Sequence, residues 1–234
     1  MRRLGSALGA GGRAAKGSLV DREVSVGFDA GFRRTLADLF AWRRDVRRFR
    51  TDPVPESLLR ECLALAELSP SVGNSQPWRF VRVADAGRRA AIVASFERCN
   101  AQAAEGYEAE RRDAYIRLKL AGLREAPIHL AVFSDEATPV GHGLGRATMP
   151  EMLRYSVVTA VQTFWLAARA HGLGVGWVSI LEPEAVCACL DVPCDWHLVA
   201  YLCVGYPVEE HIDPELVRHG WQARLGEGAH LIER

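Results

Sequence analysis

The chain has 234 residues, 49% of them apolar, enough for one domain with a sizeable core. Its 29 Lys and Arg are matched by 29 Asp and Glu, so no net charge draws it to nucleic acid or to an anionic membrane. No apolar run approaches the roughly 20 residues of a membrane span.

Residues 1–26 are rich in Arg, Gly and Ala and lack a continuous apolar core segment. A disordered tail is expected there, with a transit-like peptide as the other reading. The domain proper then covers 27–234. Phe32, Leu36, Leu39 and Phe40 recur at helical spacing and predict an amphipathic first helix over 30–42. Directly after it, five arginines fall within the eight residues 43–50. Guanidinium groups bind phosphate through forked, charge-assisted hydrogen bonds, although a solvated basic turn has the same composition. Asp45 stands inside this cluster. A carboxylate there repels a phosphate, so it either pairs locally or points away toward a task of its own.

A second helix is predicted over 55–68, with Leu58, Leu59, Cys62, Leu65 and Ala66 on its apolar face. The loop from Ser69 to Trp78 is dense in small residues, amides and hydroxyls, groups that can bond the rim of a planar heterocycle. A strand follows at 79–83. Residues 87–125 predict two or three charged helices broken around Gly106 and Gly122, the last carrying Tyr115, Leu118, Lys119, Leu120 and Leu123. A strand is expected at 128–133 and a long glycine-bearing loop at 135–150.

The stretch 154–181 is the most informative. Val157, Val158, Val161, Phe164, Trp165, Ala168 and Ala170 make a helix apolar nearly all round, for a core or an interface. A short strand is expected over 175–180, with Ser179 within it and Gly174 and Gly176 admitting something flat or bulky. A helix at 183–190, a strand at 198–206 and an extended arm at about 207–234 complete the chain. The six cysteines lack zinc-ligand spacing and read as reduced thiols of a cytoplasmic protein, with no metal site. No GxGxxG follows a strand, and GxxxxGK[ST], HExxH and GxSxG are absent. The expected class is α+β: a central, mostly antiparallel or mixed sheet flanked by helices.

Three segments carry a family resemblance. Arg43-Arg44-Asp45-Val46-Arg47-Arg48-Phe49 is similar to an RRSxRxF phosphate motif, Ser71 to Trp78 to an SSxNxQPW loop, and 154–181 to a central helix and the strand behind a flavin. Together they resemble the nitroreductase-fold flavoproteins, which bind FMN at a homodimer interface. Asp45 in place of serine, Tyr115 to Pro127, and the run from Gly145 to Ser179 are most similar to the branch that consumes reduced FMN.

That resemblance implies oxygen-dependent fragmentation of reduced FMN to dimethylbenzimidazole and a four-carbon sugar phosphate, for the lower ligand of cobalamin. It implies Asp45 and Ser179 as catalytic groups. Arg43, Arg44, Asp45, Val46, Arg47, Ser71, Val72, Gly73, Asn74, Gln76, Lys119, Val178, Ser179 and Arg224 are the implied FMN-binding residues. It further implies a lid at about 107–125, a homodimer with an exchanged C-terminal arm, and either NAD(P)H or a separate flavin reductase as the source of electrons. The alternatives are an NAD(P)H-dependent nitroreductase or flavin or corrinoid reductase, and a non-catalytic flavin-binding redox module.

Overall fold

Side-chain N-caps at Asp29 and Asp85 start two of the helices among the described residues. The computed structural model describes residues 27–226 and 230–234; the tail expected over 1–26 lies outside them. Helix α1 (Ala30–Trp42) begins at Asp29, whose carboxylate accepts from the Phe32 N–H at 2.7 Å. Helix α2 (Glu56–Ala66) begins after Pro55, and a short 3₁₀ turn at Val72–Asn74 leads into strand β1 (Trp78–Arg82). Helices α3 (Ala86–Glu105) and α4 (Ala109–Arg117) precede β2 (Ile128–Asp135). Then come α5 (Met152–Ala170), β3 (Gly174–Val178), α6 (Pro183–Leu190), β4 (Trp196–Gly205) and a single turn, α7 (Glu215–Arg218).

The four strands form one antiparallel sheet in the order β1-β2-β4-β3. Side chains alternate across its two faces. Leu130 and Val132 of β2, with Leu202 and Val204 of β4, pack on α2 and α5. Ala131 and Phe133, with Tyr201 and Cys203, pack under residues of α3 and α6. Both faces are therefore covered, which is why β2 and most of β4 read as unbroken apolar runs. Helix α5 anchors one layer through Val157, Val161 and Phe164, all fully buried, each contributing about 1.5–3 kcal/mol by removal from water.

Two sequence expectations are corrected. Residues 118–127 are not helical. Leu118 turns extended at the end of α4, and the segment wraps Phe49 so closely that a Cβ on Gly122 would lie 2.4 Å from its ring. The strand expected to reach residue 180 ends at Val178, so Ser179 lies just beyond it. The first part of the C-terminal arm packs along the arginine segment: the Val208 N–H donates to the Arg48 carbonyl, and Arg48 pairs with Glu215 at 2.7 Å.

Gly174 and Gly176 do admit a close neighbour, but it is the chain itself. A Cβ on Gly176 would sit 2.2 Å from the Val46 carbonyl oxygen, which is backbone and cannot step aside. Gly176→Ala should therefore cost about 2–3 kcal/mol, whereas Gly106→Ala, with 3.5 Å of clearance, should be neutral within about 0.5 kcal/mol. Thermal melts of the two variants against the parent check this.

Candidate functional site

Residues 43–50 meet the open edge of β3 at Asp45 and Val46 and then pair with the chain just past β4. The Val46 N–H donates to the Val175 carbonyl at 3.0 Å and the Arg50 N–H to Tyr206 at 2.8 Å. This extended course turns alternate arginines to opposite sides. Arg44 spends its guanidinium on the arm, donating to the Ile212 carbonyl from Nε at 2.7 Å and also from Nη2. Arg48 pairs with Glu209 and Glu215. Arg43 turns the other way and lies over the Trp165 ring, 5.0 Å from its centroid, with its Nε buried and without a partner. Burial, then the neighbouring Arg43 and Arg224 cations, push the Arg44 pKa below its usual value. The Asp213 charge opposes them.

Asp45 points inward. Its Oδ1 accepts the Trp177 N–H at 2.9 Å and its Oδ2 accepts Arg47 Nε at 2.9 Å. About a third of its side chain is exposed, against 11% for Arg47. Desolvation raises its pKa above the ordinary carboxylate value, while the Arg47 charge and the Trp177 N–H oppose the rise. Arg47 also donates from Nη1 to the Lys119 carbonyl at 3.2 Å, and Lys119 Nζ pairs with Glu125 at 2.6 Å. The structure therefore links Asp45, Arg47 and Lys119 through hydrogen bonds, with Arg43 two residues before Asp45 on the Trp165 ring. Val46 lies against Gly174, and Val178 buries its side chain in the core beneath α6, leaving only backbone to offer a ligand.

The second group is the loop at 71–76. Ser71 Oγ accepts the Gln76 N–H, the Val72 N–H goes to Ser156 Oγ, and the Asn74 and Ser75 N–H groups close the 3₁₀ turn. Gly73, Asn74 and Gln76 all take positive φ, and Gly73 packs against Gly141. Most backbone donors here are taken, so the exposed Asn74 and Gln76 side chains are what the loop can present. Ser179 is exposed.

No hydrogen bond among the described residues links the two groups. The loop meets α5 at Ser156 and the arginine segment meets it at Trp165, whose Nε1 donates to the Arg44 carbonyl. Nine residues of helix put them about 13 Å apart along α5. The carboxylates that engage Arg48 and the Trp177 N–H that engages Asp45 were not found from the sequence. Acids at 209, 210, 213 and 215 were a usable signal for the first; strand register, which the second needs, leaves no mark on composition.

Comparison with known proteins gives a consistent picture. The profile described as the Nitroreductase family matches residues 40–206. A 5,6-dimethylbenzimidazole synthase from Rhodospirillum rubrum is 64% identical over 197 residues, covering 84% of this chain and 93% of that one. Another from Rhodobacter capsulatus is 46% identical over 198 residues, covering 85% and 96%. The crystal structure of an oxidized iodotyrosine deiodinase bound to FMN and 3-iodo-L-tyrosine superposes with a TM-score of 0.64 at 30% identity, over 75% of this chain and 91% of that one.

The Asp45 environment makes a signed prediction. A carboxyl whose pKa is raised by folding binds its proton more tightly folded than unfolded. Folding therefore loses stability as pH rises from the ordinary value of 3.8 through the raised one. Subtracting the pH dependence of stability of Asp45→Asn from that of the parent should leave a component that falls with pH across that interval. Denaturant melts from acid to neutral pH measure it; a difference that rises with pH contradicts the assignment.

Proposed function

This chain belongs to the nitroreductase family, and from that premise we propose that it is a 5,6-dimethylbenzimidazole synthase that fragments reduced FMN with dioxygen. The 64% identity to a synthase over most of both chains supports this reading, and the carboxylate at residue 45 carries it, because it sets an acid/base group beside the guanidinium cluster. The residues fit a flavin phosphate: Arg43 Nε is a buried donor with no hydrogen-bond partner among the described residues, in a segment that holds four further arginines.

Bound reduced FMN supplies the electrons that dioxygen takes up and the carbon skeleton of the product. Arg43 and Arg224 neutralise and orient the phosphate. Asp45 moves protons. Each of its oxygens already accepts one hydrogen bond, Oδ1 from the Trp177 N–H and Oδ2 from Arg47 Nε, so the proton it takes up goes to a remaining lone pair. Desolvation there favours the protonated carboxyl and Arg47 the ionised one, an opposition that suits a group required to accept and return a proton. Arg47 also ties this carboxylate to the 118–127 segment through the Lys119 carbonyl, so the cover and the acid/base group are held together. With α4 above it, that segment is the candidate barrier to bulk water. Asn74 and Gln76 are assigned to the flavin ring and Ser179 to a hydrogen bond or proton transfer near it.

The reading also makes the protein a cytoplasmic homodimer. Phe28, Phe32, Leu36 and Phe40 of the α1 region and Tyr155 and Val158 of α5 are all exposed, and a second copy would cover them. Among the described residues no helix is long and apolar enough to cross a membrane. Electrons come from NAD(P)H or from a separate flavin reductase.

The test is to mix the protein with chemically reduced FMN, admit air, and identify the small molecules by mass. The parent should form dimethylbenzimidazole and bleach the flavin; recovery of intact FMN after many turnovers would make it a reductase instead. Asp45→Asn keeps an acceptor for the Trp177 N–H but loses the titrating group, so product formation should fall at least about a hundredfold while FMN still binds.

A further inference from the structure

The part of the arm that carries Arg224 is fastened to the cover. Trp221 packs edge-on against Tyr107, with ring centroids 5.5 Å apart, and lies 6.1 Å from Tyr115. The Arg111 guanidinium sits 4.5 Å over the Trp221 ring, and its Nη1 donates to the Trp221 carbonyl at 3.4 Å. Tyr115 is buried and anchors this cluster to α3 by donating its hydroxyl to Asn100 Oδ1 at 2.7 Å. At its other end, the Trp221 N–H donates to the Leu216 carbonyl at 2.8 Å. Leu216 follows Glu215, the partner of Arg48. Three residues past Trp221, Arg224 lies near enough to Arg44 to disfavour its charge. One short segment thus holds α4 with its indole and, through the turn at 215–218, ties to Arg48 of the arginine segment, with Arg224 three residues further on.

We propose that Trp221 is a positioning residue that couples closure of the α4 cover to recognition of the ligand's phosphate, so that a flavin bearing a phosphate closes the site more firmly than one lacking it. The inference rests on the reading of Arg43 and Arg224 as phosphate ligands. Drawing Arg224 onto a phosphate fixes the segment, and the aromatic cluster transmits that order to α4. Two ligands that share the same ring and ribityl chain are then distinguished by the cover as well as by the phosphate contacts.

Trypsin reads the cover directly, since Arg111 and Arg112 are exposed on α4. Oxidised FMN and riboflavin are the probes, each added to equal occupancy. With the parent, FMN should slow cleavage within 107–117 about tenfold more than riboflavin does. With Trp221→Ala, FMN should still bind but the difference should shrink to within about twofold; Trp221→Phe should recover part of it. Where circular dichroism shows the alanine variant misfolded, the phenylalanine variant decides by its intermediate protection. A full FMN-over-riboflavin difference retained in Trp221→Ala overturns the coupling, as does the absence of any such difference in the parent. Failure of the parent to bind FMN removes the underlying reading and the inference with it. Failure to form dimethylbenzimidazole, with the protection difference intact, sinks only the catalytic proposal.

Discussion

Asp45 holds the whole arginine segment against the sheet. Strand β3 is an edge strand, and its outer edge would otherwise present unpaired N–H and C=O groups. Residues 45 and 46 meet that edge, Asp45 bridging Val175 in parallel sense, and Phe49 goes on to bridge Pro207 just past the end of β4 in antiparallel sense. The cover can lie flat only because residues 174 and 176 lack side chains. It stays in register because the Asp45 carboxylate takes the Trp177 N–H, a donor on that edge. One carboxylate therefore does two things: it satisfies an edge strand, and it fixes where the neighbouring guanidiniums point.

The charges divide accordingly. A chain with no net charge still concentrates five arginines in eight residues, and these would repel one another without nearby acids. The extended backbone turns Arg44 and Arg48 toward the arm, where the Ile212 carbonyl, Glu209 and Glu215 receive them. Hydrogen bonding to Glu215 raises the Arg48 pKa, while burial lowers that of Arg44, so the two neighbours are held in opposite senses. Arg47 is matched by Asp45, and Arg50 by the exposed Asp52. Arg43 is left with a buried, unpartnered Nε. An orphaned buried charged donor is costly, and the one contact given to this guanidinium among the described residues is the face of an aromatic ring. That combination is intelligible as a site kept for an anion.

Much of the fold was legible because its signals are local. Helices α1 and α6 fall where periodicity, Pro183 and the acidic first turn put them, and β2 and β4 are readable as apolar runs. The non-helical course of 118–127 was not legible. Tyr115 and Leu118, and Leu120 and Leu123, stand three residues apart as on a helix face, whereas the ring of Phe49, about 70 residues away in sequence, makes the chain go round it. The site divides in the same way. The arginine cluster, Asp45 and the amide-rich loop declare themselves by composition. Which guanidiniums face inward, and that Lys119 is joined to the cluster through its carbonyl as its ammonium pairs with Glu125, depend on register and on long-range packing. Buried polar pairs such as His129 and Tyr201, 3.0 Å apart, are equally invisible in sequence, and there desolvation lowers the histidine to about 4 and keeps it neutral.

Helix α5 explains why a single chain carries the site in two pieces. Its inner face is fixed by the sheet: Val157, Val161, Phe164 and Ala168 have no exposure, so neither rotation nor sliding is open to it. Ser156 and Trp165 are therefore rigid posts, and the loop and the arginine segment that hang from them keep their separation of about 13 Å. The outer face of the same helix is not committed by the chain, since Tyr155 and Val158 remain in solvent. A helix apolar nearly all round can serve both purposes, because the residues that lock the sheet and the residues left for a second surface recur on different sides of the same 3.6-residue turn. The near absence of a polar face, which composition alone reads as either core or interface, is the sequence record of an element that is core on one side and an unfinished surface on the other.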